Sequence, residues 1–171
     1  AFNQKMTASA ERRCGELESK AQDDYFQTDS RWDRALGTLG SGNHFIELSL
    51  DQNDQVWVVL HSGSRGVGNK LAMKHIKIAQ GLCERMFVAL KDPDLAYLPD
   101  ETKEFKDYIR DLLWAQDFAL ANREEMMDRV MTELSYSFFK EDGHQKEIEL
   151  ERINCHHNFT QLESHLGKDV W

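Results

Sequence analysis

Apolar positions along the chain switch between short runs bounded by turn residues and long stretches with helical spacing. The runs Phe45-Ile46-Glu47-Leu48-Ser49-Leu50 and Val56-Trp57-Val58-Val59-Leu60 flank the turn-forming Asp51-Gln52-Asn53-Asp54 and predict an antiparallel β-hairpin. From Leu71 onward, Leu71, Ile76, Ala79, Leu82, Cys83, Met86, Phe87 and Leu90 recur at the spacing of a helix with one face on a core. Pro93 and Pro99 mark the connection to a second helical region, Lys103 to Leu134. Its apolar face runs through Phe105, Ile109, Leu112, Leu113, Phe118, Leu120, Met127, Val130 and Leu134, with Trp114 and Met126 also expected in the core. Arg110, Asp111, Arg123, Glu124 and Asp128 are expected on the wet side. Residues 10–26 read as polar and weakly helical. A short strand is expected over Glu149 to Ile153, and a strand, turn and second strand after Phe159. The fold class is α+β: a hairpin and glycine-rich turns, interrupted by a long helical insertion.

Three short segments concentrate groups suited to metal and anion chemistry. Gly37-Thr38-Leu39-Gly40-Ser41-Gly42-Asn43-His44 enters the first run, and His61-Ser62-Gly63-Ser64-Arg65-Gly66 leaves the second. Asn154-Cys155-His156-His157-Asn158 lies beyond the helical insertion. If Asp51–Asp54 form a four-residue loop, Leu50 pairs with Gln55 and His44 falls opposite His61. Cβ atoms so paired are roughly 5 Å apart, close enough to share one ion. A one-residue slip would place them on opposite faces. Strand, glycine-rich turn and helix start also form an anion cradle, where Arg65 offers a forked cation to a phosphate. A lone histidine at a strand end is more often an ordinary hydrogen-bonded residue; two that converge beside glycine turns favour ligation. Of His156 and His157, which point to opposite faces of an extended segment, only one can enter the same site.

Composition narrows the setting. At 171 residues with no linker-like stretch, the chain reads as a single domain over 1–171. Within it, residues 1–31 form a lead-in, 32–68 the hairpin region, 69–140 the helical insertion and 147–171 the return strands. A net charge of −9 argues against a surface built to coat nucleic acid, though not against a local basic cleft. Cys14, Cys83 and Cys155 lack paired spacing, which predicts free thiols in a reducing compartment, with Cys155 small and buried beside the histidines. His75, His144 and His165 are expected at the boundary or in solvent. The absence of an initial methionine and the short final hairpin suggest a piece of a longer polypeptide.

Taken together, Gly37 to Glu47, His61 to Gly66 and Ile153 to Asn158, with the first two histidines seventeen residues apart, resemble the RtcB family of RNA ligases. The similarity runs from Trp32 onward and includes Trp114-Ala115-Gln116. Members of that family join RNA bearing a 3′-phosphate or 2′,3′-cyclic phosphate to a 5′-hydroxyl end, using GTP and manganese (Mn2+) through a guanylylated histidine. The resemblance implies manganese ligation by His44, His61 and His157. It implies a guanine-nucleotide site including Asn43, His44, Phe45, Ile46, Glu47, His157 and Asn158, and an RNA phosphate contact from Arg65. It also implies an archease-type activator as partner and a role in tRNA splicing or RNA repair, while the unpaired cysteines and the lack of a membrane-length apolar stretch or signal-peptide pattern predict a cytoplasmic protein. Strict strand alternation sets Glu47 on the face opposite His44, which conflicts with their sharing one site. The family's Asp-x-x-Cys segment has no match in residues 1–43, and the nucleophilic histidine is expected beyond Trp171. No catalytic residue is therefore assigned, and the chain alone is expected to be inactive. Two other readings remain: a noncatalytic metal- or RNA-binding module, and a metal-dependent phosphoesterase acting without GTP.

Overall fold

The computed structural model describes residues 6–21, 31–140, 148–156 and 159–171. Helix α1 (Ala8–Lys20) opens with Thr7 as N-cap, its hydroxyl accepting from the Ala10 amide at 3.1 Å. Strands β1 (Phe45–Leu50) and β2 (Val56–His61) form an antiparallel hairpin, followed by α2 (Arg65–Arg85) and the 37-residue α3 (Lys103–Phe139). A second hairpin pairs β3 (Glu163–His165) with β4 (Lys168–Val170). The α+β expectation holds, and α3 runs past the expected end at Leu134 to Phe139. By contrast, the expected strand at Glu149 to Ile153 does not form. Residues 149–156 are irregular and held by side chains: Arg152 bonds Glu149, Glu124 and Asp128, and Asn154 bonds the Leu120 carbonyl and Glu124.

The core lies where α1, α2 and α3 meet the Trp32 turn. Ala10, Cys14 and Leu17 of α1 and Val67 and Leu71 of α2 pack around Trp32, Leu36, Trp114 and Phe118. Trp32 meets Trp114 edge-on at 5.7 Å, while Trp114 and Phe118 stack at the same centroid distance, favourable arrangements for ring quadrupoles. The Trp114 indole donates to the Leu17 carbonyl at 2.9 Å, satisfying its one polar atom inside the core. This cluster fixes the turn that leads into the first glycine segment.

Two acidic residues of α3 are buried. Glu125 is 0% exposed and accepts from the Thr7 and Ser9 hydroxyls, Arg13 and Arg129, tying α1 to α3. Asp111, expected on the wet side, is buried with His75, whose Nε2 lies 2.5 Å from its Oδ2. His75 is therefore an interior residue clasping α2 to α3, not a boundary one. Cys155, expected buried, is exposed, whereas Cys14 and Cys83 are buried free thiols. His165 is exposed as expected, and His144 lies outside the described residues.

Candidate histidine and phosphate site

The hairpin register corrects the expected pairing. Phe45, not His44, stands opposite His61, and Leu50 pairs with Val56. The Asp51 amide donates to the Gln55 carbonyl at 3.0 Å, so the loop contains three residues, Gln52 to Asp54, rather than four. Asp54 takes the left-handed conformation, with φ 59°, that closes such loops. The Asp51 carboxylate caps the turn by accepting from the Gln55 and Asn53 amides and the Trp57 indole, which hold its pKa below the ordinary value.

Despite the slip, the two imidazoles meet. His44 precedes β1, outside strict strand alternation, and its ring centroid lies 5.9 Å from that of His61. Phe45 also stacks on His61, at 5.4 Å with ring planes 13° apart. Two imidazoles each about 2 Å from one shared ion are compatible with such a separation. His44 Nδ1 is shielded from solvent and has no hydrogen-bond partner, an environment suited to a nitrogen that a cation satisfies. These features fit a metal with imidazole ligands. No group of three His, Cys, Asp or Glu residues arranged for an ion occurs among the described residues. His157, the third ligand implied by resemblance, and Asn158 lie outside them. Their neighbour His156 packs against Phe159 at 5.9 Å.

The remaining nucleotide candidates spread along the hairpin. Asn43 is exposed in the bend before His44, and Ile46 and Glu47 are exposed in β1. The register sets Glu47 opposite Val59, on the face shared by Phe45 and His61. Glu47 is thus associated with His61 through the sheet, while His44 reaches the pair from the strand entry.

Arg65 is part of α2, which starts earlier than the apolar spacing from Leu71 indicates. Its left-handed φ of 59° turns the chain as the helix begins. Its Nε donates to Thr38 Oγ1 at 3.0 Å and its Nη1 to the Leu39 carbonyl at 3.2 Å, so the guanidinium lies across the first glycine segment. That approach requires Gly40: a Cβ there would stand 1.2 Å from Arg65 Nη1, and φ is +88°. Arg65, Arg31, Arg34, Ala35 and Thr38 line a pocket of about 240 Å3. Ser64 provides no side-chain cap to α2, leaving the N-terminal amides at this glycine turn without one.

Two residues of α3 that the periodicity does not single out organise all three segments. Asn122, 0% exposed, accepts through Oδ1 from the amides of Gly37 at 2.8 Å and Thr38 at 3.2 Å. Its Nδ2 donates to Ser62 Oγ and the Gly63 carbonyl, both at 3.2 Å. Arg123, expected on the wet side, instead donates from Nε to Asn154 Oδ1 at 2.8 Å and from Nη1 to the Ser62 carbonyl at 3.3 Å. Burial lowers its pKa from the ordinary arginine value. Helical periodicity gives no signal for this pair, since it reads adjacent polar residues of a helix only as surface.

Comparison with known proteins places this arrangement in a family. The profile described as tRNA-splicing ligase RtcB matches residues 1–171. The RNA-splicing ligase RtcB of Escherichia coli K12 is 46% identical over 136 residues, covering 80% of this chain and 33% of that protein. The tRNA-splicing ligase RtcB of Pyrobaculum aerophilum is 33% identical over 147 residues, covering 77% of this chain and 30% of that protein. The chain thus spans about a third of the length of these relatives. With a family profile matched along its whole length and the histidine segments brought together in space, the chain belongs to the RtcB family of tRNA-splicing ligases.

Proposed function

We propose that this chain carries part of the active site of an RNA ligase that joins 3′-phosphate or 2′,3′-cyclic phosphate ends to 5′-hydroxyl ends with GTP and Mn2+. The observation carrying this reading is the approach of His44 and His61, with His44 Nδ1 buried and unpartnered. In the proposed site, His44, His61 and His157 hold manganese, and Asn43 to Glu47 with His157 and Asn158 contribute to the guanine-nucleotide site. Arg65, already oriented by Thr38 and Leu39, turns its pocket toward an RNA phosphate. When bound, the metal neutralises charge developing at phosphorus. The residues of this chain position it and the phosphate; the guanylylated histidine is not assigned among them.

Titration of Mn2+ into the chain, followed by calorimetry, tests the metal assignment. One saturable site is expected, weakened at least about tenfold by His44→Ala and by His61→Ala. Binding indifferent to both substitutions would remove the histidine reading. For the ligase reading, the full-length protein that contains this segment, rather than the 171-residue chain alone, is incubated with GTP, Mn2+ and RNAs bearing 3′-phosphate and 5′-hydroxyl ends. A joined product that disappears with His61→Ala supports it, and phosphate release without GTP would instead favour a phosphoesterase.

A further inference from the structure

Beyond the β1–β2 register that sets Phe45 opposite His61, the segments flanking the two imidazoles are Gly37-Thr38, upstream of His44, and Ser62-Gly63, which follows His61. One side chain bonds both pairs. We propose that Asn122, assisted by Arg123, is a positioning residue for the histidine site, its carboxamide setting the separation of the two histidine-bearing segments. The inference rests on reading His44 and His61 as ligands.

The chemistry of the carboxamide supports this role. An asparagine oxygen offers two acceptor sites and its NH2 two donors. Asn122 Oδ1 uses both acceptor sites on the Gly37 and Thr38 amides, while Nδ2 faces Ser62 Oγ, the Gly63 and Thr38 carbonyls and the sulfur of Met126. An aspartate of nearly the same shape would retain the acceptors and lose every donor. Alanine would abandon both segments. At 0% exposure, no water is on hand to replace the lost partners.

Arg123 extends the same clasp to the third segment, joining the Ser62 carbonyl to Asn154 Oδ1. Asn154 is held in turn by the Leu120 carbonyl and Glu124. Arg123 Nη2 is nevertheless buried with no hydrogen-bond partner. A guanidinium kept in this state is poorly suited to stability alone, because burial of an unsatisfied donor is unfavourable. Its two fixed nitrogens instead span adjacent parts of the site. Residues that orient metal ligands in this way typically alter affinity about 10- to 100-fold when replaced.

The test compares the wild-type chain with Asn122→Asp and Arg123→Lys by three measurements: melting, Mn2+ affinity by calorimetry, and the nuclear Overhauser contact between the His44 and His61 rings in metal-free protein. For Asn122→Asp we expect the Gly37 and Thr38 amides to remain bonded while the Ser62 side separates. The ring contact should weaken and Mn2+ affinity should fall at least about tenfold. Folded Asn122→Asp with an undiminished ring contact and affinity within twofold of wild type would overturn the proposal, whatever its melting temperature. Should that variant not fold, Arg123→Lys decides by the same readouts: a weakened contact and affinity support positioning, and unchanged values overturn it. Absence of Mn2+ binding by the wild type would defeat the metal reading instead. The metal-free ring contact would then decide the positioning role alone.

Discussion

Replacing Glu125 with Gln removes a charge without changing the shape of the side chain. Glu125 Oε1 accepts from Thr7 Oγ1 at 2.5 Å and Arg129 Nε at 2.9 Å; Oε2 accepts from Ser9 Oγ at 2.7 Å and Arg13 Nη1 at 2.5 Å. An amide retains one oxygen, so two of these four donors lose their acceptor. Charge-assisted bonds contribute about 1.5–3 kcal/mol each. The Arg129 share is discounted because its side chain is 38% exposed and water screens it, while Arg13 keeps Asp128 at 2.7 Å. The expected loss is therefore about 3 kcal/mol at neutral pH, toward the low end for breaking a buried pair. For a chain of this size it lowers the melting temperature by roughly 6–12 °C. Burial alone would raise the Glu125 pKa, but the bonds from Thr7, Ser9, Arg129 and Arg13 outweigh it and hold the pKa below its ordinary 4.5. Since the folded pKa is depressed, the stabilisation is present above the unfolded value and is lost as pH falls through the folded one. Thermal and urea unfolding of both proteins from pH 7 to pH 3 measures it. The gap should be full at pH 7 and shrink below about pH 4.5. Equal stability at pH 7, or a gap unchanged at pH 3, would refute the account.

Asp111→Asn leaves His75 without its carboxylate in a buried clasp and should destabilise by about 3 kcal/mol in urea unfolding. Wild-type stability in this variant would show that the clasp contributes nothing. Gly40→Ala forces a side chain into the left-handed region, a strain of about 1–2 kcal/mol, and displaces the Arg65 guanidinium. Binding of a 3′-phosphorylated RNA, followed by fluorescence anisotropy, should weaken as it does for Arg65→Ala; unchanged binding in both would exclude Arg65 as a phosphate contact. A thiol reagent at neutral pH should modify one cysteine per folded chain rapidly, Cys155, because Cys83 is buried and burial pushes the Cys14 thiol up to about 11. Mass spectrometry locating the label first on Cys14 would contradict that order.

What the sequence reveals here depends on the range of the interaction concerned. The hairpin was legible because apolar runs and a turn cluster are local signals, and the helical regions because their period repeats over many residues. Register was not, because it turns on whether Asp51 belongs to the strand pair or the loop. The Gln55 pairing and the left-handed Asp54 decide that question. Burial of charge was also illegible. Asp111, read as solvated, finds His75 36 positions away, and Glu125 finds Arg13 112 positions away, partners that a helical period does not register. The site was recognisable from His44, His61 and Arg65 with their glycines. Its scaffold was hidden because Asn122 and Arg123 look like ordinary polar positions of α3. No helix among the described residues is long and apolar enough to cross a membrane.

The middle of α3 also limits how this protein can change length. Asn122, Arg123, Glu124 and Glu125 are consecutive, and successive helical side chains point about 100° apart. Each serves a different neighbour: the glycine turns, the Ser62–Asn154 junction, Arg152 with Asn154, and α1. Deleting one residue between the α2 contact at Asp111 and Asn122 would swing all four through roughly that angle relative to the clasp with His75. A residue added near Phe139 would leave them in place. Natural length variation in this helix is accordingly expected at its C-terminal end, with residues 111–125 behaving as an invariant spacer.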